Sequence, residues 1–171
     1  MLLIIGNILR RESDKMDELR QMAYIFATLF TLANKLQTLG DEFDKNITAK
    51  QWLFVIGVST FSKPPMISEL AGFLGYSRQN AKRIAADLQK SGYVTVSKDQ
   101  YDARVLRIEL TPKSIAYFEK RNKREIEFLE SIFTGFNAEL TNGMYKGIVK
   151  LEANLKELMM DKIINIEGDS Q

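Results

Sequence analysis

Apolar residues recur at Leu19, Met22, Phe26, Leu29, Ala33 and Leu36 with gaps of three and four, the spacing that lines one side of an α-helix. The pattern predicts an amphipathic helix that Gly40 ends, with Asp41, Glu42 and Asp44 in a loop after it. Thr48 to Gln51 then fits a capping box, so a second helix starts near Ala49 and carries Trp52, Leu53, Val55 and Ile56 inward. Pro64 and Pro65 force a break because neither can donate a backbone hydrogen bond. A short helix over Ile67 to Phe73 is ended by Gly75, and Ser77 caps a longer one that runs to about Lys90 and stops at Gly92. Two helices joined by a short glycine-containing turn make a helix-turn-helix.

After Gly92 the period changes from helical to alternating. Tyr93 to Val96 and Val105 to Leu110 are β-rich runs, and the polar stretch Ser97 to Arg104 between them reads as the tip of a hairpin, or wing. Thr111 and Pro112 supply an N-cap and a first-turn proline for a charged helix presenting Ile115, Phe118, Ile126, Leu129 and Phe133. The last helix shows Met144, Ile148, Leu151, Leu155 and Leu158, and Gly168 to Gln171 reads as a frayed tail.

The expected fold is mainly α with a small β-hairpin wing: a winged helix-turn-helix flanked by long dimerisation helices. Its segments are 1–46 (N-terminal dimerisation region), 47–111 (winged lobe) and 112–171 (C-terminal dimerisation helices), in one integrated fold. There are too many apolar stripes at the two ends for one small core. A second copy in a two-fold dimer is the simplest way to cover them.

Composition removes several chemistries. With no Cys and no His there is no thiolate nucleophile, disulfide, imidazole base or His/Cys metal site. No Gly-rich phosphate loop or paired-acid motif stands out, so neither an enzyme nor a cofactor or metal is expected. The Leu2 to Ile5 run is too short for a signal-peptide core, is followed by Arg10 and Arg11, and is read as part of the dimer interface. No run approaches a membrane span, which leaves a cytoplasmic protein without membrane contact as the expectation.

The net charge of +2 decides nothing, but its distribution does. Residues 76 to 98 carry five basic side chains and one acidic, a local +4. At about 100° per residue, Arg78, Gln79, Lys82, Arg83 and Ala86 share one face of the helix that opens there, while Ala81, Ile84, Ala85 and Leu88 share another. Such a polar face suits the major groove: Arg pairs with guanine, Gln79 or Asn80 with adenine, and an Ala methyl meets the thymine methyl. Lysines and the Ser77 cap suit phosphate, and Lys98, Arg104 and Arg107 on the wing could reach the flanking backbone. The basic run Arg121 to Arg124 is set among Glu119, Glu125 and Glu127 and reads as a solvated face.

The run from Ser68 resembles the winged helix of the MarR family of bacterial and archaeal transcription regulators, and the likeness extends from about Leu19 to Met159. It is carried by Ser68-Glu-Leu-Ala71, by Leu88-Gln-Lys-Ser-Gly92-Tyr-Val, and by Asp99-x-x-Asp102-x-Arg104 with Leu110-Thr111 after it. The resemblance implies a homodimer built by the terminal helices, recognition by the helix that begins at Ser77, and a small organic ligand between dimer base and DNA-binding lobe. It also makes Asp102 and Arg104 wing residues, with the carboxylate orienting the guanidinium. Two positions depart from the family pattern: Tyr101 stands where the wing has its first Arg, and Ser114 where Gly often follows Leu-Thr.

The expected DNA-binding residues are therefore Ser77, Arg78, Gln79, Asn80, Lys82, Arg83, Lys98, Asp102 and Arg104, and the partner is a pseudo-palindromic duplex operator. Thiol-oxidation sensing is excluded, and an aromatic or phenolic effector could be lined by Trp52, Tyr24, Phe26, Phe30 or Phe54, although stripes of this kind are more often core. The function so implied is a dimeric regulator, expected to repress and to be released by its ligand. The competing function is a winged-helix module that meets an acidic protein instead of DNA.

Overall fold

The computed structural model describes residues 18–168, with side chains to 160. The expectations for Leu2 to Ile5 and for the tail beyond Gly168 lie outside these residues. Six helices and two strands follow in the order α1 (Glu18–Phe43), α2 (Ala49–Ser59), α3 (Ile67–Leu74), α4 (Arg78–Lys90), β1 (Val94–Lys98), β2 (Leu106–Leu110), α5 (Pro112–Ile132) and α6 (Ala138–Gly168). The chain forms two compact units, Met1–Glu119 and Lys120–Gln171.

The core of the first unit is where α2, α3, α4 and the hairpin meet. Phe54, Leu70, Leu88 and Ile108 are fully buried there, with Val55, Val58, Ile67, Ile84 and Val94 beside them. The inward face of α2 differs from the one expected: Leu53 and Ile56 are exposed, while Phe54 and Val58 join Val55 inside. A helix reading Trp-Leu-Phe-Val-Ile is apolar all round, so it carries no stripe that selects a face. Phe54 is thereby a core residue rather than a pocket-lining aromatic.

Local signals place the helix ends. The Thr48 hydroxyl accepts from Gln51 N–H at 3.2 Å and the Gln51 side chain accepts from Thr48 N–H at 3.0 Å, so the capping box forms. At the start of α3, the Glu69 carboxylate accepts from Met66 N–H.

Gly40 does not end α1, which continues to Phe43 and takes Asp41 and Glu42 with it. A Cβ at position 40 would lie 2.8 Å from the Cβ of Ala49, so the glycine serves the close approach of α1 to the start of α2. Asp41 then accepts from Ala49 N–H at 2.7 Å, which ties the two helices at that point.

The strands pair antiparallel, with Val94 opposite Leu110 and Val96 opposite Ile108. Each begins one residue later than the sequence put it; β1 ends two residues further on, at Lys98, and β2 ends at Leu110 as expected. Thr111 Oγ1 accepts from Ser114 N–H, and Pro112 opens α5 as expected. In the second unit, Asn137 Oδ1 accepts from Leu140 N–H at the start of α6. Met144, Ile148, Leu151, Leu155 and Leu158 are all exposed along α6, as are Leu19, Met22, Phe26, Leu29 and Leu36 along α1. No helix among the described residues is long and apolar enough to cross a membrane.

Candidate nucleic-acid interface

The turn between α3 and α4 is three residues long. Gly75 closes α3 in the left-handed region (φ +68°), a conformation that costs glycine nothing and an L side chain about 1 kcal/mol or more. Tyr76 N–H then bonds back to Ala71 C=O at 2.8 Å. Ser77 Oγ accepts from Asn80 N–H at 3.2 Å and caps the N-terminus of α4.

Ala81, Ile84, Ala85 and Leu88 of α4 are buried, so the opposite face is aimed at solvent. Arg78, Gln79 and Lys82 are exposed there and make no side-chain hydrogen bond or ion pair among the described residues. Arg83 is held along the helix instead: it donates to Asn80 Oδ1 at 3.1 Å and lies 3.5 Å from the Asp87 carboxylate. The sequence had grouped these cations; the structure separates two free ones from one that is tethered.

The wing is fixed at both ends. At its base, Tyr93 N–H bonds to Leu88 C=O at the end of α4, and Ile108 N–H bonds to Pro65 C=O in the segment before α3. At its tip, Asp99 Oδ1 accepts from both Tyr101 N–H and Asp102 N–H. Arg107, expected to reach out from the wing, turns back: its Nε donates to the Asp99 carboxylate and its Nη1 to Pro64 C=O at 2.9 Å. Arg104 is largely exposed, and Asp102 holds it through two parallel hydrogen bonds of 3.0 Å. This is the fork-to-carboxylate geometry that orients a guanidinium.

These contacts set the ionisation of the two carboxyls. The hydrogen bond from Arg107, then that from Tyr101 N–H, holds Asp99 below the usual carboxylate range. The Arg104 side chain, then its backbone N–H, does the same for Asp102. Lys98 is the exposed wing cation with no partner among the described residues.

Sequence reasoning thus named the residues on α4 and the Asp102–Arg104 pair. It placed Asp99 in the wing motif without giving it the task of organising the tip, and it read Pro64 only as a helix break, not as an acceptor for Arg107, which lies far from it in sequence. Asp99 could have been suspected from its place at a turn, where Asp commonly bonds backbone N–H groups two residues on. No local signal marks Pro64.

No family model matches the sequence. An uncharacterised HTH-type transcriptional regulator of Bacillus subtilis, YsmB, is 28% identical over 106 residues, covering 62% of this chain and 68% of that protein. Other curated relatives are spanned over only about half of their length, 55%. Among solved structures, the chain is similar to a MarR protein from Peptoclostridium difficile, with a TM-score of 0.72 and 21% identity over 86% of this chain and 96% of that one. It is also similar to S. aureus MepR, solved as a complex with DNA, with a TM-score of 0.67 and 16% identity over 76% and 97% of the two chains. With its six helices and two-stranded antiparallel hairpin among the described residues, the chain has the MarR-type winged-helix fold.

Proposed function

We propose that the chain is a sequence-specific DNA-binding transcription regulator of the MarR type, acting as a homodimer in the cytoplasm. The observation that carries this is the outward face of α4. Arg78, Gln79 and Lys82 stand free on the second helix of a helix-turn-helix, whose other face is locked into the core. A likeness to a protein solved on DNA supports it.

In this function Arg78 and Gln79 read base edges in the major groove, with Asn80 beside them. Lys82, Arg83, the Ser77 end of α4 and Lys98 contact phosphates. Arg104, held by Asp102, is aimed from the wing. The exposed apolar seams of α1 and α6, within segments 1–46 and 112–171, are covered by the second copy. Two recognition helices so related match half-sites about 34–36 Å apart. The regulator represses, and a small organic ligand releases it by changing that separation rather than by unfolding either helix.

The test is a fluorescence-anisotropy titration of the protein against the duplex upstream of its own gene, beside a scrambled duplex, at three salt concentrations. Tight, salt-sensitive binding with preference for the upstream duplex is expected. Should random-sequence selection also yield no preferred duplex, the outward face of α4 would belong to an acidic protein partner instead.

A further inference from the structure

Gln79 and Asn80 are adjacent amides in the first turn of α4. By sequence the two are equivalent: each carries a carbonyl acceptor and an amide donor, the pair of groups that matches the N6 amino group and N7 of adenine. The structure makes them different. Gln79 is exposed, and both of its side-chain groups are free among the described residues. Asn80 is partly buried, and its Oδ1 already accepts from Arg83 Nη2 at 3.1 Å.

This bond is held from both sides. The Asn80 backbone N–H is fixed on Ser77 Oγ, and Arg83 Nη1 lies 3.5 Å from the Asp87 carboxylate one turn further on. Arginine has donors and no acceptor, so the carbonyl end of the amide is the one that must face it. With five N–H groups, Arg83 can keep both partners and still meet a phosphate. What Asn80 has left for a ligand is Nδ2, which makes no hydrogen bond among the described residues.

A lone amide donor fits a different set of bases. Guanine O6 and thymine O4 accept in the major groove, whereas the adenine N6 and cytosine N4 amino groups donate there. Opposite either amino group, Nδ2 would set donor against donor. On the DNA-binding function proposed above, on which it rests, we propose that Asn80 selects a keto base, guanine or thymine, at one operator position, and that Arg83 imposes this choice by occupying its carbonyl. Gln79, with both groups free, keeps the match to adenine.

The experiment selects preferred duplexes from a random pool with the full chain as wild type, Asn80→Ala and Arg83→Met. Anisotropy titrations then compare the four base pairs at the position whose preference Asn80→Ala loses. Arg83→Met keeps the length of the side chain and removes every donor. The wild type is expected to favour guanine or thymine there by roughly tenfold, the scale of one mismatched base pair. Asn80→Ala levels that position and no other. Arg83→Met binds all duplexes more weakly through its lost phosphate contact, and turns the preference at that position toward adenine.

The cap on Ser77 uses the backbone of Asn80 and not its side chain, so an unchanged circular dichroism spectrum is expected for both variants. An adenine or cytosine preference in the wild type at that position, an Asn80→Ala variant that changes no position, or an Arg83→Met variant with the wild-type preference overturns the assignment and leaves Arg78 and Gln79 as the readers. A wild type with no preferred duplex overturns the DNA function and the role of Asn80 together.

Discussion

Arg107 and Pro64, forty-three residues apart in sequence, are joined by a 2.9 Å hydrogen bond from the guanidinium to the proline carbonyl. With its other edge on Asp99, Arg107 links the wing tip to the segment that precedes α3. Lysine has the charge but not the fork. Arg107→Lys is expected to speed hydrogen exchange at the Ile108 amide, which bonds to Pro65 C=O next door. Unchanged protection at Ile108 would show that the strut is idle.

The wing's response to acid follows from the same carboxylates. Asp99 and Asp102 have folded pKa values depressed below the ordinary 3.9 or so, so what they contribute is complete above that value and is lost as pH falls through the lower folded one. Protection of the Tyr101 and Asp102 amides should be level from pH 8 to pH 5 and decline only below about pH 4. A decline centred near pH 6 would need some other group, and the chain contains no histidine to provide it.

Phe54 and Leu53 are neighbours with opposite fates. Phe54 is fully buried, and Phe54→Ala should cost about 3–5 kcal/mol in urea unfolding. Leu53 is 39% exposed, and Leu53→Ala should cost distinctly less, about 1 kcal/mol. Equal losses would restore the inward face first expected for α2.

Gly40 sets two effects against each other. Alanine inside a helix gains about 1 kcal/mol over glycine, but a Cβ there would sit 2.8 Å from a methyl fixed directly to the backbone of Ala49. Overpacking of this kind costs about 1–3 kcal/mol, so Gly40→Ala should be destabilising on balance, by the order of 1 kcal/mol. A rise in the urea midpoint would mean that α1 can move away from α2 at little cost.

On α4 the free side chains separate by role. Gln79→Ala or Arg78→Ala should relax base preference at one position by about 1–3 kcal/mol. Lys82→Ala should weaken binding to all duplexes and reduce the salt slope by about one. Sequence-independent losses from all three would remove direct readout from this helix.

What could be read in advance follows the range of each interaction. The Thr48–Gln51 box, the Ser77 cap, the left-handed Gly75 and Gly92, and the two faces of α4 are set by residues within four positions of one another, and all are where the sequence put them. Gly40 was misread because a glycine needed for close approach and one that ends a helix look alike in sequence. Leu53 and Ile56 were misplaced because α2 is apolar on every side. Arg107 was grouped with outward cations because its partners, Pro64 and Asp99, become visible only once the hairpin has folded onto the segment before α3.

The tether on Arg83 has an entropic side. Fixing a free arginine side chain forfeits about 2 kcal/mol of rotamer freedom. Bonded to Asn80 and drawn toward Asp87, Arg83 has given up part of that freedom before any anion arrives. On the proposed DNA-binding function it would meet a phosphate with less ordering than Arg78 or Lys82, whose side chains would be immobilised in the act of binding. If α4 meets DNA as proposed, one helix turn would thus combine a pre-oriented side chain with adaptable ones, a division that favours rapid docking on any duplex before the mobile side chains test the bases.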